Sequence, residues 1–209
     1  SVLRPAVAAT LLHSVAYNLN RKNRDVWLYE TGTAFWKEPG KEICEEQRLA
    51  AIAVGAAENP NWLGKTRGYA LPDLRGALEV LERVLLLPKL VFKPLTTHAY
   101  LEHGWEIVIG ASRLGIAGKL RAEILKEYDV ETDVFLLELK LQEVIASIDW
   151  QRTFQSIPKY PPVERDLAII VDHDVPAEKI YAVIESASDH LLERLELFDL
   201  YTGKPIPAG

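Results

Sequence analysis

Val26-Trp-Leu-Tyr-Glu-Thr31, Gly32, Ala34-Phe-Trp36 and, further on, Leu49-Ala-Ala-Ile-Ala-Val-Gly55 decide the fold of this chain. Aromatic and β-branched residues dominate the first run, which reads as strand, bulge or turn at Gly32, strand. The second run is short, apolar and bounded by charge and glycine, as expected of a strand buried in the same sheet. Between them, Lys37 to Gln47 is polar and reads as a connection. Upstream, Val7, Leu11, Val15 and Leu19 recur every four residues after Pro5, giving a helix with one apolar face over about 5–20.

Downstream, Asp73 precedes Leu74, Leu78, Leu81 and Leu85, predicting a second amphipathic helix over about 73–87, ended by Pro88. Glu106 to Ile109 and Arg113 to Ala117 flank Gly110-Ala-Ser112 and read as a hairpin. A short helix (122–128) and a strand (133–139) follow. Helix, strands, helix, strands is the pattern of an α+β domain. Pro158, Pro161 and Pro162 then mark a boundary, because proline removes backbone donors and fixes an extended connector. Beyond it, a strand (165–171), a helix (176–187) and a strand (193–201) predict a β-α-β unit. The expected domains are therefore 1–150 and 151–209.

Composition narrows the function. The 209 residues are 48% hydrophobic and 26% charged, which suits a globular chain. With 24 Lys and Arg against 30 Asp and Glu, the net charge of −6 gives no overall field for free-standing nucleic-acid binding. Residues 151–209 carry 6 Lys and Arg against 10 Asp and Glu, so the second unit is the more acidic. No apolar run reaches the roughly 20 residues of a membrane helix. The single cysteine, Cys44, excludes an intrachain disulfide and fits a cytoplasmic protein. The chain opens on Ser-Val-Leu-Arg-Pro and contains no methionine, so it is expected to be an internal piece of a longer protein.

No catalytic motif emerges. Gly110 to Ile116 lacks the lysine and hydroxyl residue that a phosphate-cradling loop needs after its second glycine, and Gly115 to Gly118 lacks a dinucleotide fingerprint. His98, Glu102 and His103 do not have the spacing of a helical zinc pair and read as surface loop. Cys44 lies among glutamates, which oppose thiolate formation. Glu45-Glu46 and the Asp172/Asp174 pair read as solvated faces. Catalytic, metal and cofactor-binding residues are thus all expected to be none. Arg21, Lys22 and Arg24, set among Asn18, Asn20 and Asn23, follow the first helix where cations complement the C-terminal dipole, and capping is their expected role. Lys159, Tyr160 and Arg165 join two cations to an aromatic ring and are the candidate nucleic-acid contacts.

Four segments together resemble a known family. These are Val2-Leu-Arg-Pro5 with Leu11-Leu12 and Asn18, running into Val26 to Gly32 and Phe35; Leu49-Ala50 with Gly55 and Asp73-Leu-Arg-Gly76; Leu114-Gly115 with Gly118 and Glu123-Ile124; and Tyr160 to Val171 with Leu195 to Tyr201, Gly203 and Ile206-Pro207. In order and spacing they are similar to the C-terminal part of the β subunit of bacterial phenylalanyl-tRNA synthetases. Thr31 departs from the usual isoleucine or valine, and Arg121-Ala122 from histidine and proline.

The resemblance implies a part of an α2β2 ligase that charges tRNA-Phe with phenylalanine, using ATP and magnesium at the α subunit. Residues 1–150 would be a class II synthetase-like domain, without catalytic residues, packed on α. Residues 151–209 would be the first half of a ferredoxin-like anticodon-binding domain. In the family a third strand lies between the first two, so the strands at 165–171 and 193–201 are expected to be unpaired with each other, with further residues or another chain filling the gap, or the half-domain packing in a non-native way. Partners would be the α subunit and tRNA-Phe, with no membrane and no DNA. The rival reading is a stand-alone enzyme that activates a small carboxylic acid with ATP, for which Arg48, Arg67 and Arg113 are the available arginines. An unrelated interaction module is a third.

Overall fold

A 12-residue strand without a break, β1 (Val26–Lys37), replaces the expected strand-turn-strand. It pairs antiparallel with β2 (Ile43–Val54) in continuous register, Gly32 opposite Arg48. Gly32 makes room for a side chain rather than a turn. A Cβ there would collide with the Arg4 guanidinium, which bonds Glu30 and Thr10 while its Nε donates to the Thr33 carbonyl. β2 also begins well before Leu49, inside the stretch that reads as polar connection.

The computed structural model describes residues 3–37, 39–40, 42–58, 62, 66–151, 154, 159–188, 191–201 and 203. By contacts the chain divides into Ser1–Phe154 and Gln155–Gly209.

In the first unit, β1 and β2 are followed by β3 (Val91–Pro94), β4 (Leu101–Ile109), β5 (Ser112–Leu120) and β6 (Val134–Lys140). They form one antiparallel sheet in the order β1-β2-β6-β5-β4-β3. Helix α1 (Ala8–Asn20) packs on one face, where Val7, Leu11, Leu12 and Val15 meet Ala50, Ile52, Val54, Val134 and Leu136. Leu125 of α3 (Ala122–Lys126) joins the same cluster. On the other face, Leu74 and Leu78 of α2 (Leu71–Leu85) and Val144 of α4 (Leu141–Ala146) pack on Ala51, Ala53, Phe135, Leu137 and Leu139. Alternation along β2 and β6 thus feeds two cores, the period-2 geometry of a sheet covered on both sides. Glu102 and His103, read as loop, lie on β4.

The start of α2 is fixed by polar contacts. Asp73 accepts the Ala70 N–H at 2.8 Å and a two-pronged bond from Arg67, both at 2.8 Å. The Arg67 guanidinium holds the Asp73 carboxyl below the usual carboxylate range, partial burial opposes it, and the Ala70 N–H adds to the lowering. A carboxyl depressed by folding contributes stability that is present above its unfolded pKa and lost as pH falls through its folded value. Asp73→Asn should therefore melt below the wild type near pH 7, with the gap closing between about pH 5 and about pH 2. A gap that stays constant in melts across that range would contradict the assignment.

The second unit contains α5 (Ala177–Ser188), close to the expected helix. The expected strands at 165–171 and 193–201 are corrected. Among the described residues neither segment carries a strand ladder, and no backbone hydrogen bond joins them. Strands need partners to close N–H and C=O groups, and apolar alternation alone supplies none. Leu167, Ile170, Phe198 and Leu200 are exposed accordingly. Pro158 and the pair Ile206-Pro207 lie outside the described residues.

Candidate functional site

The face of the sheet that carries α1 changes character where the helix begins. Under the helix, the in-facing residues of β2 and β6 are Ala50, Ile52, Val54, Val134 and Leu136. Past its first turn the same series continues as Arg48 and Glu46 on β2 and as Glu138 and Lys140 on β6. Alternation puts these four on one face, with Trp36 of β1 beside them. The result is a cleft of about 260 Å³ lined also by His98, Tyr100 and Arg113.

Glu138 is its centre and is 3% exposed. One carboxylate oxygen accepts the Val7 N–H at 2.8 Å, where the positive end of the α1 dipole favours an anion. The other accepts the Tyr100 hydroxyl at 3.0 Å and lies 3.5 Å from Arg48 Nη1. Arg48 Nε donates to Glu46 at 2.8 Å, and its guanidinium sits 5.5 Å from the Trp36 ring centroid. Lys140 Nζ is 3.2 Å from Glu46, and Arg113 Nε is 2.8 Å from Glu106. Each of these cations is therefore held by a carboxylate of the chain itself.

Titration follows the same logic. Burial, then the nearby Glu138 carboxylate, pushes the Tyr100 hydroxyl far above its ordinary value, so it stays a donor. Burial and then Arg113 lower His98, which is kept neutral; its Nδ1 is buried and has no partner among the described residues. A neutral histidine without a nucleophile beside it and a tyrosine committed to Glu138 do not make an acid-base pair. An incoming triphosphate would have to displace Glu46, Glu106 or Glu138 from their arginines.

Of the three arginines available to an ATP site, Arg48 and Arg113 converge on this cleft. Arg67 does not; it pairs with Asp73 and with Glu58 at 3.3 Å. Sequence reading missed Glu138 and Tyr100, although a lone glutamate inside Val134-Phe-Leu-Leu-Glu-Leu139 is a signal of an in-facing charge. Cys44 is half-buried on β2, its Sγ 3.9 Å from the Glu42 carbonyl. Glu102 is 3.5 Å from Lys119 and 3.7 Å from His103, and among the described residues no group of three His, Cys, Asp or Glu could hold a metal ion. Lys159, Tyr160 and Arg165, in the second unit, are all exposed, Tyr160 at 83%; Arg165 donates to the Glu164 carbonyl at 3.0 Å. No helix among the described residues is long and apolar enough to cross a membrane.

The six-stranded antiparallel sheet with helices on both faces is a fold shared with an aminoacyl-tRNA synthetase: pyrrolysyl-tRNA synthetase from Desulfitobacterium hafniense matches 68% of this chain and 48% of its own, with a TM-score of 0.50 at 13% identity. That likeness concerns the fold alone. Residues 1–141 match the family model of the phenylalanyl tRNA synthetase beta chain CLM domain, and the chain belongs to that family. Residues 158–209 match the ferredoxin-fold anticodon binding domain. Among relatives, the phenylalanine-tRNA ligase beta subunit of Bacillus cereus is 32% identical over 212 residues and that of Bacillus subtilis 30% over 213. Both alignments take in the whole of this chain and 26% of the relative, so the chain spans about a quarter of their length.

Proposed function

We propose that this chain is a non-catalytic, structural and tRNA-binding portion of the β subunit of a cytoplasmic phenylalanine-tRNA ligase. Residues 1–150 act as a class II synthetase-like domain that braces the α subunit, where ATP and magnesium are used in a heterotetramer. Residues 151–209 supply the first half of the anticodon-binding module, with Lys159, Tyr160 and Arg165 as RNA contacts. The observation that carries the non-catalytic reading is the pairing inside the cleft: Arg48 with Glu46 and Glu138, and Arg113 with Glu106. Arginines already neutralised by buried or half-buried carboxylates are poorly placed to stabilise a pentavalent phosphate. Val80 and Val84, exposed on α2, supply apolar surface for the α contact.

The test is co-expression with a phenylalanyl-tRNA synthetase α subunit. Co-purification is expected, with phenylalanine-dependent pyrophosphate exchange by the complex and none by this chain alone. Exchange by the chain alone would establish the rival, an ATP-using enzyme that activates a carboxylic acid.

A further inference from the structure

Arg21, Lys22 and Arg24 close α1, where their charge complements the helix dipole, but side-chain capping bonds do not account for all three. The helix end is capped by main chain: the N–H groups of Arg21 and Asn23 bond the Asn18 carbonyl at 2.9 and 3.1 Å, and that of Lys22 bonds the Leu19 carbonyl at 2.9 Å. Only Arg21 reaches a helix carbonyl with its side chain, that of Tyr17 at 3.4 Å. Lys22 and Arg24 add no cap bond and, among the described residues, none of the three cations has a carboxylate within ion-pair distance. The adjacent Asp25 is committed elsewhere, accepting the Ala56 N–H at 2.6 Å. All three cations are exposed. A chain of net charge −6 thus concentrates three unpaired positive charges in four residues.

Two further observations point to what meets them. Lys22 occupies the left-handed region, φ +68°, where glycine or asparagine is favoured and a lysine stores strain. A glycine would serve the turn better, so a substitution there can separate the lysine's charge from its backbone conformation. Arg21 Cζ sits over the Tyr17 ring, 3.4 Å from the centroid, and Tyr17 is 57% exposed. Cations, the hydroxyl of an exposed tyrosine and the exposed Asn20 amide are the donors that contact the sugar-phosphate backbone of RNA; an acidic protein surface would need only the charges.

We propose that the turn after α1, through Arg21, Lys22 and Arg24 with Tyr17, is a second RNA-backbone contact, separate from the residues of the anticodon-binding module. This deepens the proposed function and rests on it. The cluster lies in the first unit, some 135 residues before Lys159 in the sequence.

The test uses the assembled synthetase, titrated with tRNA-Phe between about 50 and about 200 mM salt. Arg21→Ala/Lys22→Ala/Arg24→Ala is expected to weaken binding about tenfold at the low-salt end and to make the log-log salt slope shallower by about 2. Lys126→Ala, an exposed cation elsewhere on the unit, should leave both unchanged. Lys22→Gly is the decisive single variant: relief of the left-handed strain should raise the melting temperature while binding weakens, a combination that a purely structural lysine does not produce. Unchanged affinity and slope in the triple variant would overturn the proposal. So would an equal loss in Lys126→Ala, which would reduce the effect to net charge, or a loss of subunit assembly with tRNA affinity intact, which would assign the surface to a protein partner. An assembly with the natural cluster that binds no tRNA sinks the underlying reading, and this proposal with it.

Discussion

Glu138→Ala is expected to destabilise the first unit by about 3–5 kcal/mol, a loss typical of breaking a buried charged network from one side. The Val7 N–H and the Tyr100 hydroxyl lose their acceptor at once, and the Arg48 guanidinium loses one of its two. Water in the cleft cannot easily replace the carboxylate at the Val7 N–H, since Val7 is fully buried. Glu138→Gln keeps the shape and one acceptor oxygen, so it should cost only about 1–2 kcal/mol. Urea unfolding of the two variants gives the comparison directly. The double variant Glu138→Ala/Tyr100→Phe sharpens it, because removing the orphaned hydroxyl should recover part of the loss; the two changes should therefore sum to less than their parts. Strict additivity would mean that the hydroxyl and carboxylate do not interact as described.

The same network explains what the sequence hid. The amphipathic helices were legible because their in-facing positions are Leu and Val, from Val7 to Val15 on α1 and at Leu74 and Leu78 on α2. The outer half of β2 was not, because its in-facing positions line the cleft and are therefore Glu46 and Arg48, alternating with the exposed Glu45 and Gln47. Polar residues on both faces erase the period-2 signal, so a strand reads as a connection. Gly32 misled in the opposite direction: a glycine that makes room for the Arg4 guanidinium looks, in sequence, like a turn. Arg48 and Arg113 are plain in the sequence as candidates; the pairing of Arg113 with Glu106 lies within one hairpin, but that of Arg48 with Glu138 depends on the register of β2 against β6, far apart in the chain, with Ala50 opposite Glu138. The second unit shows the limit of local pattern most plainly. Its alternation reads as two strands, while pairing, which makes a strand, is non-local.

Gly115→Ala should be the other severe substitution, and for a steric reason. β5 lies inside the sheet, between β6 and β4, and Gly115 stands opposite Leu139. A Cβ at 115 would fall inside the contact distance of the Glu138 carbonyl oxygen and only 2.8 Å from the Leu139 Cα. On the other side of the strand, Gly118 faces Gly104, where a Cβ on Gly104 would meet the Ala117 carbonyl oxygen and lie 2.7 Å from the Gly118 Cα. These obstacles are main chain, which cannot swing away as a side-chain tip can. The methyl must push β5 from β6, and a cost of about 2–4 kcal/mol is expected, at or above the upper range for overpacking a core. Gly110→Ala, in the β4-β5 turn, is the control: it has φ +56° but nothing within 4 Å, so only the left-handed backbone penalty of about 1 kcal/mol applies. Equal costs at 110 and 115 in urea unfolding would deny the close approach of β5 and β6. The Gly115 effect should also reach the cleft, because the carbonyl that is pushed belongs to Glu138. Part of the penalty is then a displaced carboxylate, and Gly115→Ala should cost less in a Glu138→Ala background, where that network is already gone.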